Sequence, residues 1–489
     1  MIVLNSVTSD ARVLKEANTL AGAGYRVTII GIADGRDGRP INTLESGVMI
    51  VRLHPSQRSL ALRLLVGAGR AHRRYAAAAV LAALVLLRHE LLASVAGVLL
   101  LAVVAAALPL VAVIRTRRWL RSWCLRVPGA TRLAGFLRPV LIGLGTVVGL
   151  WAFRRWWRAA YNRVWHHLFI TRPVLHELAK ARPEVVHCHD VRTLPMGCAY
   201  KRRHACHVVY DSHEVAEHQQ SLEPSEQVLT ITLQRRLSKD VSGFITVNDR
   251  IAEYLNAAYP DLPRATVLPN ATLPAAGPCH DDGRLRRAAG LPQGMKILLF
   301  QGGFARGRGL LTLIRALPLL PDDWAIVLMG WGSMKEQLLT ECGALPRHRD
   351  AVRFVPPAAH EELRLWTAGA TLGIIPYQNT CLNHWFCSPN KLWEYPNAGV
   401  PILVSAFPVM RQMAETHGIG WLLDDPNDPA SIARAVSSIS NADLETKRRN
   451  CHVFVAQHNW SHYKGRLLGL YAGLRPAPEH RDEAGAQAA

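Results

Sequence analysis

A chain of 489 residues is too long to fold around one hydrophobic core and predicts at least two domains. Its net charge of +20 does not indicate nucleic-acid binding, because the charge is concentrated in one segment whose arginines bracket apolar runs. Residues 55–175 hold 18 arginines, no lysine and one acidic residue, Glu90, and therefore carry +17 of the total.

The first half of the chain alternates between predicted strands and helices. Residues 1–4 form an apolar run without the features of a signal peptide. Residues 10–21 predict an amphipathic helix that ends at Gly22, and residues 250–258 predict another. Strands are predicted at residues 1–4, 26–30, 48–53, 185–187, 207–210 and 244–247.

A hydrophobic segment at residues 60–160 interrupts this alternation. Residues 91–114 are an uncharged and almost wholly apolar run of 24, and about 20 residues suffice to cross a bilayer. Shorter apolar runs lie at residues 75–87 and 139–153. Tryptophans typical of the headgroup level lie near the ends of these runs: Trp119, Trp123, Trp151, Trp156, Trp157 and Trp165.

Three interpretations of this insert stay open. A hairpin that crosses the membrane twice would place the six arginines between residues 115 and 132 on the far side, against the positive-inside tendency. A re-entrant or surface-lying insert keeps them at the cytoplasmic face, near anionic lipids. A soluble pair of alanine-rich helices is the third interpretation. We expect association with the cytoplasmic face of the cell membrane through residues 75–153.

A second alternating series follows a stretch at residues 270–294 that is rich in proline, glycine and charge. The chain is therefore predicted to be α/β, with two open parallel sheets covered by helices on both faces. Ligands in such folds bind beyond the carboxyl ends of the strands, so two facing sheets would form a cleft. Strands of this series are predicted at residues 296–300, 325–329, 352–355, 371–375 and 402–405.

Two segments of the second series contain candidate phosphate-binding residues. Glycines after the first strand allow backbone N–H groups to approach an anion, and Arg306 or Arg308 can contact phosphate oxygens. A helix is predicted to begin at Ser388-Pro389, where its unpaired N–H groups and Lys391 would attract phosphate. Glu394, one turn on, can accept hydrogen bonds from paired sugar hydroxyls. An ordinary capped helix with solvent-facing charges is the alternative.

Metal-ligating residue types occur in two histidine- and cysteine-containing segments, residues 187–189 and 204–207. Their spacing matches no structural zinc pattern, so we expect no metal site. Nine cysteines without a C-x-x-C pair argue against a disulfide framework and favour a reducing compartment.

Taken in order, these segments resemble the family-4 glycosyltransferases, which have the GT-B fold of two Rossmann-like domains facing a cleft. The resemblance covers about residues 1–54 and 165–475 and implies a nucleotide-sugar donor. Arg308 stands where the family usually has lysine. The segments that carry the resemblance are residues 10–17, 185–190, 210–214, 267–270, 302–309 and 388–399.

The resemblance also implies a division into domains. An acceptor-side domain would comprise residues 1–270, interrupted by the helical membrane-associating insert at residues 60–160. A nucleotide-sugar-binding domain would comprise residues 290–455. A helix at residues 456–475 would cross back to the first domain, and the polar tail at residues 476–489 is expected to be disordered.

The resemblance assigns expected roles to four catalytic candidates. Arg308 and Lys391 would neutralise the donor diphosphate as the glycosidic bond breaks. Glu394 would accept from the ribose hydroxyls, and His213 would lie near the transferred sugar, unless it is only a structural histidine at a strand end. The family retains the anomeric configuration and needs no metal cofactor. Candidate donor-binding residues are Gly302, Gly303, Arg308, Gly332, Ser388, Asn390, Lys391 and Glu394, although the loop around Gly332 by itself indicates only a tight turn.

Two positions depart from the family pattern, Phe386 in place of a glutamate and Gly303 in place of an arginine. The sugar therefore cannot be inferred by analogy. The sequence predicts a glycosyltransferase that moves a sugar from a nucleotide sugar to a lipid-linked, glycan or membrane-proximal acceptor, without nucleic acid as a partner. A nucleotide-sugar epimerase of the same fold and a non-catalytic membrane adaptor are the alternatives.

Overall fold

The computed structural model describes residues 1–8, 10–33, 41–54, 170–220, 222–274, 277, 279–345 and 351–474. The predicted insert at residues 60–160 and the tail at 476–489 lie outside these residues. The chain divides into one unit of Met1–Arg52 with Glu177–Ala489 and a second unit of Leu53–His176. Within the described ranges, no helix combines the length and apolarity that crossing a bilayer requires.

The first lobe of the large unit is built on a sheet that Ile2 joins in its middle. Ile2 forms parallel bridges to Ile30 on one side and Cys188 on the other. The strand order is β1-β3-β2 in one part and β4-β5-β6-β7 in the other. The strands are Thr28–Ile32 (β1), Ile41–Thr43 (β2), Met49–Leu53 (β3), Val185–His189 (β4), His207–Ser212 (β5), Gly243–Thr246 (β6) and Thr266–Val267 (β7).

The expectation of a wholly parallel first sheet is wrong at one edge. Strand β2 pairs antiparallel with β3, which a short turn-connected pair allows, whereas β4 to β7 pair in parallel. Residues 1–4, predicted as a strand, contribute the isolated bridge at Ile2 instead. Neither β2 nor β7 was predicted, because three and two residues are too short to show a period.

Helices cover this sheet. In α1 the Asp10 carboxylate caps the first turn by accepting from the Val13 N–H at 3.2 Å, and the face with Val13, Ala17 and Leu20 is buried. The helices are Ala11–Gly22 (α1), Arg172–Ala181 (α2), Leu194–Lys201 (α3), Pro224–Leu237 (α4) and Asp249–Ala258 (α5).

The second lobe contains a six-stranded parallel sheet in the order β10-β9-β8-β11-β12-β13. Successive strands are added on one side of β8 up to β10 and on its other side from β11 onward. Ligands bind at such a switch point in doubly wound folds. The strands are Lys296–Gly303 (β8), Trp324–Trp331 (β9), Val352–Val355 (β10), Leu372–Ile375 (β11), Ile402–Ser405 (β12) and Gly420–Leu423 (β13).

The helices of the second lobe pack on an apolar core of strand residues. Tyr395 fixes one of them, α11, to the first strand: its buried hydroxyl donates to the Leu299 carbonyl at 2.8 Å and accepts from the Gln301 N–H at 3.1 Å. The helices are Arg284–Ala289 (α6), Leu310–Ala316 (α7), Lys335–Gly343 (α8), Leu363–Thr367 (α9), Leu382–Trp385 (α10), Lys391–Asn397 (α11), Pro408–Thr416 (α12), Pro429–Ser437 (α13) and Asn441–Gln457 (α14).

The last helix, Trp460–Gly473 (α15), packs on the first lobe. The Trp460 indole N–H donates to the Thr19 hydroxyl at 2.7 Å, and the Tyr471 hydroxyl lies 2.9 Å from His187 Nδ1. The chain therefore begins and ends its described part in the same lobe.

Candidate active site

The switch point of the second sheet brings two loops together. The loop after β8 lies against the segment after β11, where the Gln378 N–H donates to the Gly307 carbonyl at 2.8 Å. Gly309 has a φ of +69°, and a Cβ there would collide with the Pro376 carbonyl, so glycine is required at this close approach. The contact holds Arg308 beside Tyr377.

Arg308 and Lys391 both lie beside the Tyr377 ring. The Lys391 ammonium donates to the Tyr377 hydroxyl at 2.9 Å, and the Arg308 guanidinium lies 5.6 Å from the ring centroid. Arg308 also donates to the Gly303 carbonyl at 3.1 Å. Among the side chains that the structure describes, no carboxylate forms an ion pair with either cation. The site therefore carries positive charge that its own residues do not neutralise.

Glu394 is held beside this site by a hydrogen-bonded pair of side chains. Gln301 Nε2 donates to Glu394 Oε2 at 2.7 Å, and the Thr367 hydroxyl fixes the Gln301 amide by donating to its oxygen at 2.8 Å. Glu394 also lines a cavity of about 1000 Å³, together with Asn390 and with Lys15 from the first lobe. The carboxylate can accept hydrogen bonds from a ligand that enters between the lobes.

The predicted start of the helix at Ser388-Pro389 is wrong. Helix α11 begins at Lys391, because Pro389 and Asn390 form a turn that only then becomes helical. Ser388 is buried, and its hydroxyl accepts from the Trp393 indole N–H at 3.4 Å instead of capping the helix.

Packing requires a glycine at the candidate donor-binding position Gly332. Its φ is +157°, and a Cβ there would collide with the Phe304 backbone, which agrees with a tight turn after β9. Arg306, the other arginine of the glycine loop, is exposed.

His213 directly follows β5, and each of its two ring nitrogens lies near one carboxylate. Its Nε2 is 3.1 Å from Asp211 Oδ2 and its Nδ1 is 3.6 Å from Asp190 Oδ1, while 24% of the side chain is exposed. Burial by itself would lower the pKa of His213, but Asp211 and Asp190 outweigh it and raise the pKa to about 9. At neutral pH His213 is therefore an imidazolium whose Nε2–H bonds to Asp211, and its Nδ1–H, 3.6 Å from Asp190, is the one that a ligand can accept from.

Asp211 is itself fixed by Arg12 from helix α1. The guanidinium forms a bidentate pair with both Asp211 oxygens at 2.9 Å, and both side chains are buried. Burial would raise the pKa of Asp211, but Arg12 and His213 lower it well below its usual range. Sequence reasoning placed Arg12 only in a family motif and missed this role.

Four buried residues could in principle ligate a metal, since atoms of Glu16, His187, His189 and Asp211 lie within 4.8 Å of one another. Sequence spacing could not predict this group, because Glu16 comes from a different element than the histidines. Arg12 Nε, however, lies 3.1 Å from Glu16, so the guanidinium already supplies positive charge to both carboxylates. Burial nevertheless raises the pKa of Glu16, so the strongest ion pair in this group is that of Arg12 with Asp211.

Sequence reasoning missed Tyr377, Gln301 and Thr367. Tyr377 was open to prediction, because it follows β11 by two residues at the carboxyl edge of the sheet. Nothing in the local sequence marks Gln301 as a partner of Glu394, 93 positions away, or Thr367 as a partner of Gln301, 66 positions away.

Comparison with known proteins identifies the family of this chain. The sequence profile described as "Glycosyl transferase 4-like domain" matches residues 137–271, and the profile "Glycosyl transferases group 1" matches residues 295–442. Together the two profiles cover more than half of the chain. The chain is a family-4 glycosyltransferase.

Curated relatives of this glycosyltransferase are distant in sequence. It is 25% identical over 321 residues to the D-inositol 3-phosphate glycosyltransferase of Streptosporangium roseum, covering 61% of this chain and 71% of the relative. It is 24% identical over 282 residues to an uncharacterized glycosyltransferase of Methanocaldococcus jannaschii, covering 52% of this chain and 66% of the relative. The family predicts a nucleotide-sugar donor and leaves the acceptor open.

Two solved structures show the fold. Sucrose-phosphate synthase from Thermosynechococcus elongatus superposes with a TM-score of 0.60 at 15% identity, covering 96% of this chain and 98% of that one. HepE of Anabaena, solved with UDP, superposes with a TM-score of 0.50 at 15% identity, covering 62% and 82%. The expected fold class, two Rossmann-like sheets as in GT-B, is confirmed for the described lobes.

Proposed function

We propose that this glycosyltransferase holds the donor diphosphate between Arg308 and Lys391 and transfers the sugar to a lipid-linked or membrane-proximal acceptor. The observation that carries the proposal is the convergence of two cations without carboxylate partners, among the described residues, at the switch point of a parallel sheet. Preorganised positive charge of this kind stabilises a departing diphosphate, on which negative charge develops as the glycosidic bond breaks.

The remaining candidates complete the donor site. Glu394, oriented by Gln301, accepts from the ribose hydroxyls, and the His213 imidazolium donates to an oxygen of the sugar on the other side of the cleft. The structure of HepE with UDP makes UDP the first nucleotide to test here.

The reaction retains the anomeric configuration, as the family resemblance implies. The bond between the anomeric carbon and the diphosphate oxygen breaks, and the acceptor oxygen bonds to that carbon from the same face. The freed phosphate oxygen takes the acceptor proton. Arg308 and Lys391 supply the positive charge for this step, so no metal ion is required by the mechanism.

The acceptor side rests on the sequence of the insert. Residues 60–160 interrupt the first lobe between β3 and α2, and their arginines bracket apolar runs. Attraction of these arginines to anionic lipids holds the enzyme at the cytoplasmic face of the membrane, where a lipid-linked acceptor lies.

The donor proposal is tested by assaying donor hydrolysis and transfer with a panel of nucleotide sugars for wild type, Arg308→Ala and Glu394→Ala. Arg306→Ala is the matched control, because Arg306 lies exposed in the same loop. We expect Arg308→Ala and Glu394→Ala to lose activity and Arg306→Ala to keep it. Equal losses in the two arginine variants would contradict the assignment, and conversion of the donor into an isomeric donor would indicate an epimerase.

The membrane proposal is tested by deleting residues 75–153 and co-sedimenting the protein with vesicles that contain anionic lipids. The full chain should sediment with the vesicles, and the deleted form should stay in the supernatant. Continued binding of the deleted form would overturn the proposed anchoring role.

A further inference from the structure

Asn383, on the short helix α10, bonds to the first lobe with both ends of its amide. Its Oδ1 accepts from the Val215 N–H at 2.9 Å, and its Nδ2 donates to Glu214 Oε2 at 2.7 Å. Only 8% of the side chain is exposed. Donor and acceptor are thus both satisfied across the cleft.

Two asparagines of the first lobe donate hydrogen bonds to backbone carbonyls of the same segment of the second lobe. Asn248 Nδ2 donates to the Phe386 carbonyl at 2.9 Å, and Asn270 Nδ2 donates to the Ser388 carbonyl at 3.0 Å. The Phe386 ring lies 6.4 Å from that of Tyr254 in the first lobe. We call Asn248, Asn270 and Asn383 the asparagine contact.

The asparagine contact joins two segments that lead into the two halves of the proposed reaction centre. On the second lobe, residues 383–388 lead directly into helix α11, which begins at Lys391. On the first lobe, Glu214 adjoins His213, which follows β5 and keeps 24% of its side chain exposed. A displacement of residues 383–388 would therefore change the separation of His213 from Lys391.

The departure at Phe386 fits this arrangement. The family resemblance expects a glutamate at this position, but its carbonyl and its ring here both contact the first lobe. The segment is used for holding the lobes together at this end of the cleft.

We propose that Asn383 is a positioning residue for sugar transfer, which holds the cation site of the second lobe in register with His213. The proposal rests on the proposed function. It requires the amide in its present direction, because the Val215 N–H supplies only a donor and the Glu214 carboxylate only acceptors.

The direction of the amide gives a sharp test. In Asn383→Asp the Val215 N–H keeps an acceptor, but the new carboxylate faces that of Glu214. In the double variant Asn383→Asp with Glu214→Gln, the donor and acceptor roles are exchanged. The amide introduced at position 214 can then donate to the carboxylate at position 383, while its oxygen accepts from Gln219, as Glu214 does now.

We expect Asn383→Asp to lower kcat for transfer at least tenfold, and the double variant to recover to within threefold of wild type. UDP affinity, measured by calorimetry, should change less than threefold in both, because the proposed diphosphate site lies within the second lobe. The matched control is Asn256→Asp, since Asn256 makes the same pair of bonds to Pro263 and Ala265 inside the first lobe. It should lower the melting temperature and leave kcat unchanged.

A full kcat in Asn383→Asp, a double variant without recovery, or an equal loss in Asn256→Asp would overturn the positioning role. Hydrogen exchange of the Val215 amide in Asn383→Ala provides a readout that needs no activity. Faster exchange there, with wild type inactive on every donor, would support the asparagine contact while the proposed function fails. Unchanged exchange would overturn the contact itself.

Discussion

Charged side chains around Asp211 in the first lobe have oppositely charged partners, whereas those around Tyr377 in the second lobe have neutral partners. In the first lobe, Arg12, Asp211 and His213 neutralise one another within hydrogen-bonding distance. In the second lobe, Lys391 is only 6% exposed, yet its partners are a hydroxyl and aromatic rings, and Arg308 contacts a carbonyl. The buried pair of Arg12 and Asp211 therefore holds the structure of the first lobe, whereas the cations of the second lobe remain available to an anion.

The difference predicts opposite consequences of mutation. Removing one member of a buried ion pair leaves the other without compensation, which is strongly destabilising. Removing a cation that has no carboxylate partner relieves unpaired charge and leaves the fold intact. Stability should therefore depend on the pair of Arg12 and Asp211, and activity on the cations of the second lobe.

The largest expected effect is that of Lys391→Ala on transfer. Loss of a group that stabilises developing negative charge lowers kcat by about 100- to 1000-fold in well-studied enzymes, and we expect a similar loss here. The melting temperature should be unchanged or slightly higher. Steady-state kinetics and calorimetric melting check both values, and a variant with nearly normal kcat would remove the basis for the comparison.

Asp211→Asn should have the largest effect on folding. Arg12 would lose its buried bidentate partner, and breaking a buried pair costs about 3–5 kcal/mol. Urea unfolding measures this free energy directly. The matched substitution Asp282→Asn removes an exposed carboxylate that pairs with Arg284, and it should destabilise the fold far less, because solvent screens an exposed pair. Similar costs for the two variants would contradict a structural role for the first lobe's network.

The raised pKa of His213 predicts that the stability of the fold decreases as the pH rises. Because its pKa is raised from 6.5 to about 9, its contribution to stability is fully present below pH 6.5 and is lost as the pH rises through 9. Allowing for its partial exposure, the contribution is about 2 kcal/mol. Unfolding free energies of wild type and His213→Gln, compared between pH 6 and 10, should converge as the pH rises. A constant difference would show that the imidazolium is not what stabilises the fold.

The smallest expected effect is that of Tyr377→Phe. The variant keeps the ring beside Arg308 and loses only the hydroxyl that accepts from Lys391. A hydrogen bond to a charged group contributes roughly 1.5–3 kcal/mol, and part of this is recovered when the ammonium binds phosphate instead. We expect UDP to bind about threefold more weakly or equally well by calorimetry. A complete loss of binding would mean that Tyr377, and not the cations, determines the site.

The failures of sequence reasoning have a common physical cause. Ser388 has the residue type of a helix cap, but burial against Trp393 moved the helix start to Lys391. Likewise, the antiparallel edge at β2 depends on pairing with β3 and not on the three residues of β2 itself. In both cases tertiary contacts overrode a local preference.

The sequence by itself determined the alternation of strands and helices and singled out the cations Arg308 and Lys391. These follow from local periodicity and from the rule that ligands meet the carboxyl ends of parallel strands. Only the tertiary structure decided that Gln301 holds Glu394, that Arg12 fixes Asp211 and that Asn383 bonds to Glu214. Each of these contacts joins residues 93 to 199 positions apart, and no local pattern records which distant side chains the fold will bring within hydrogen-bonding distance.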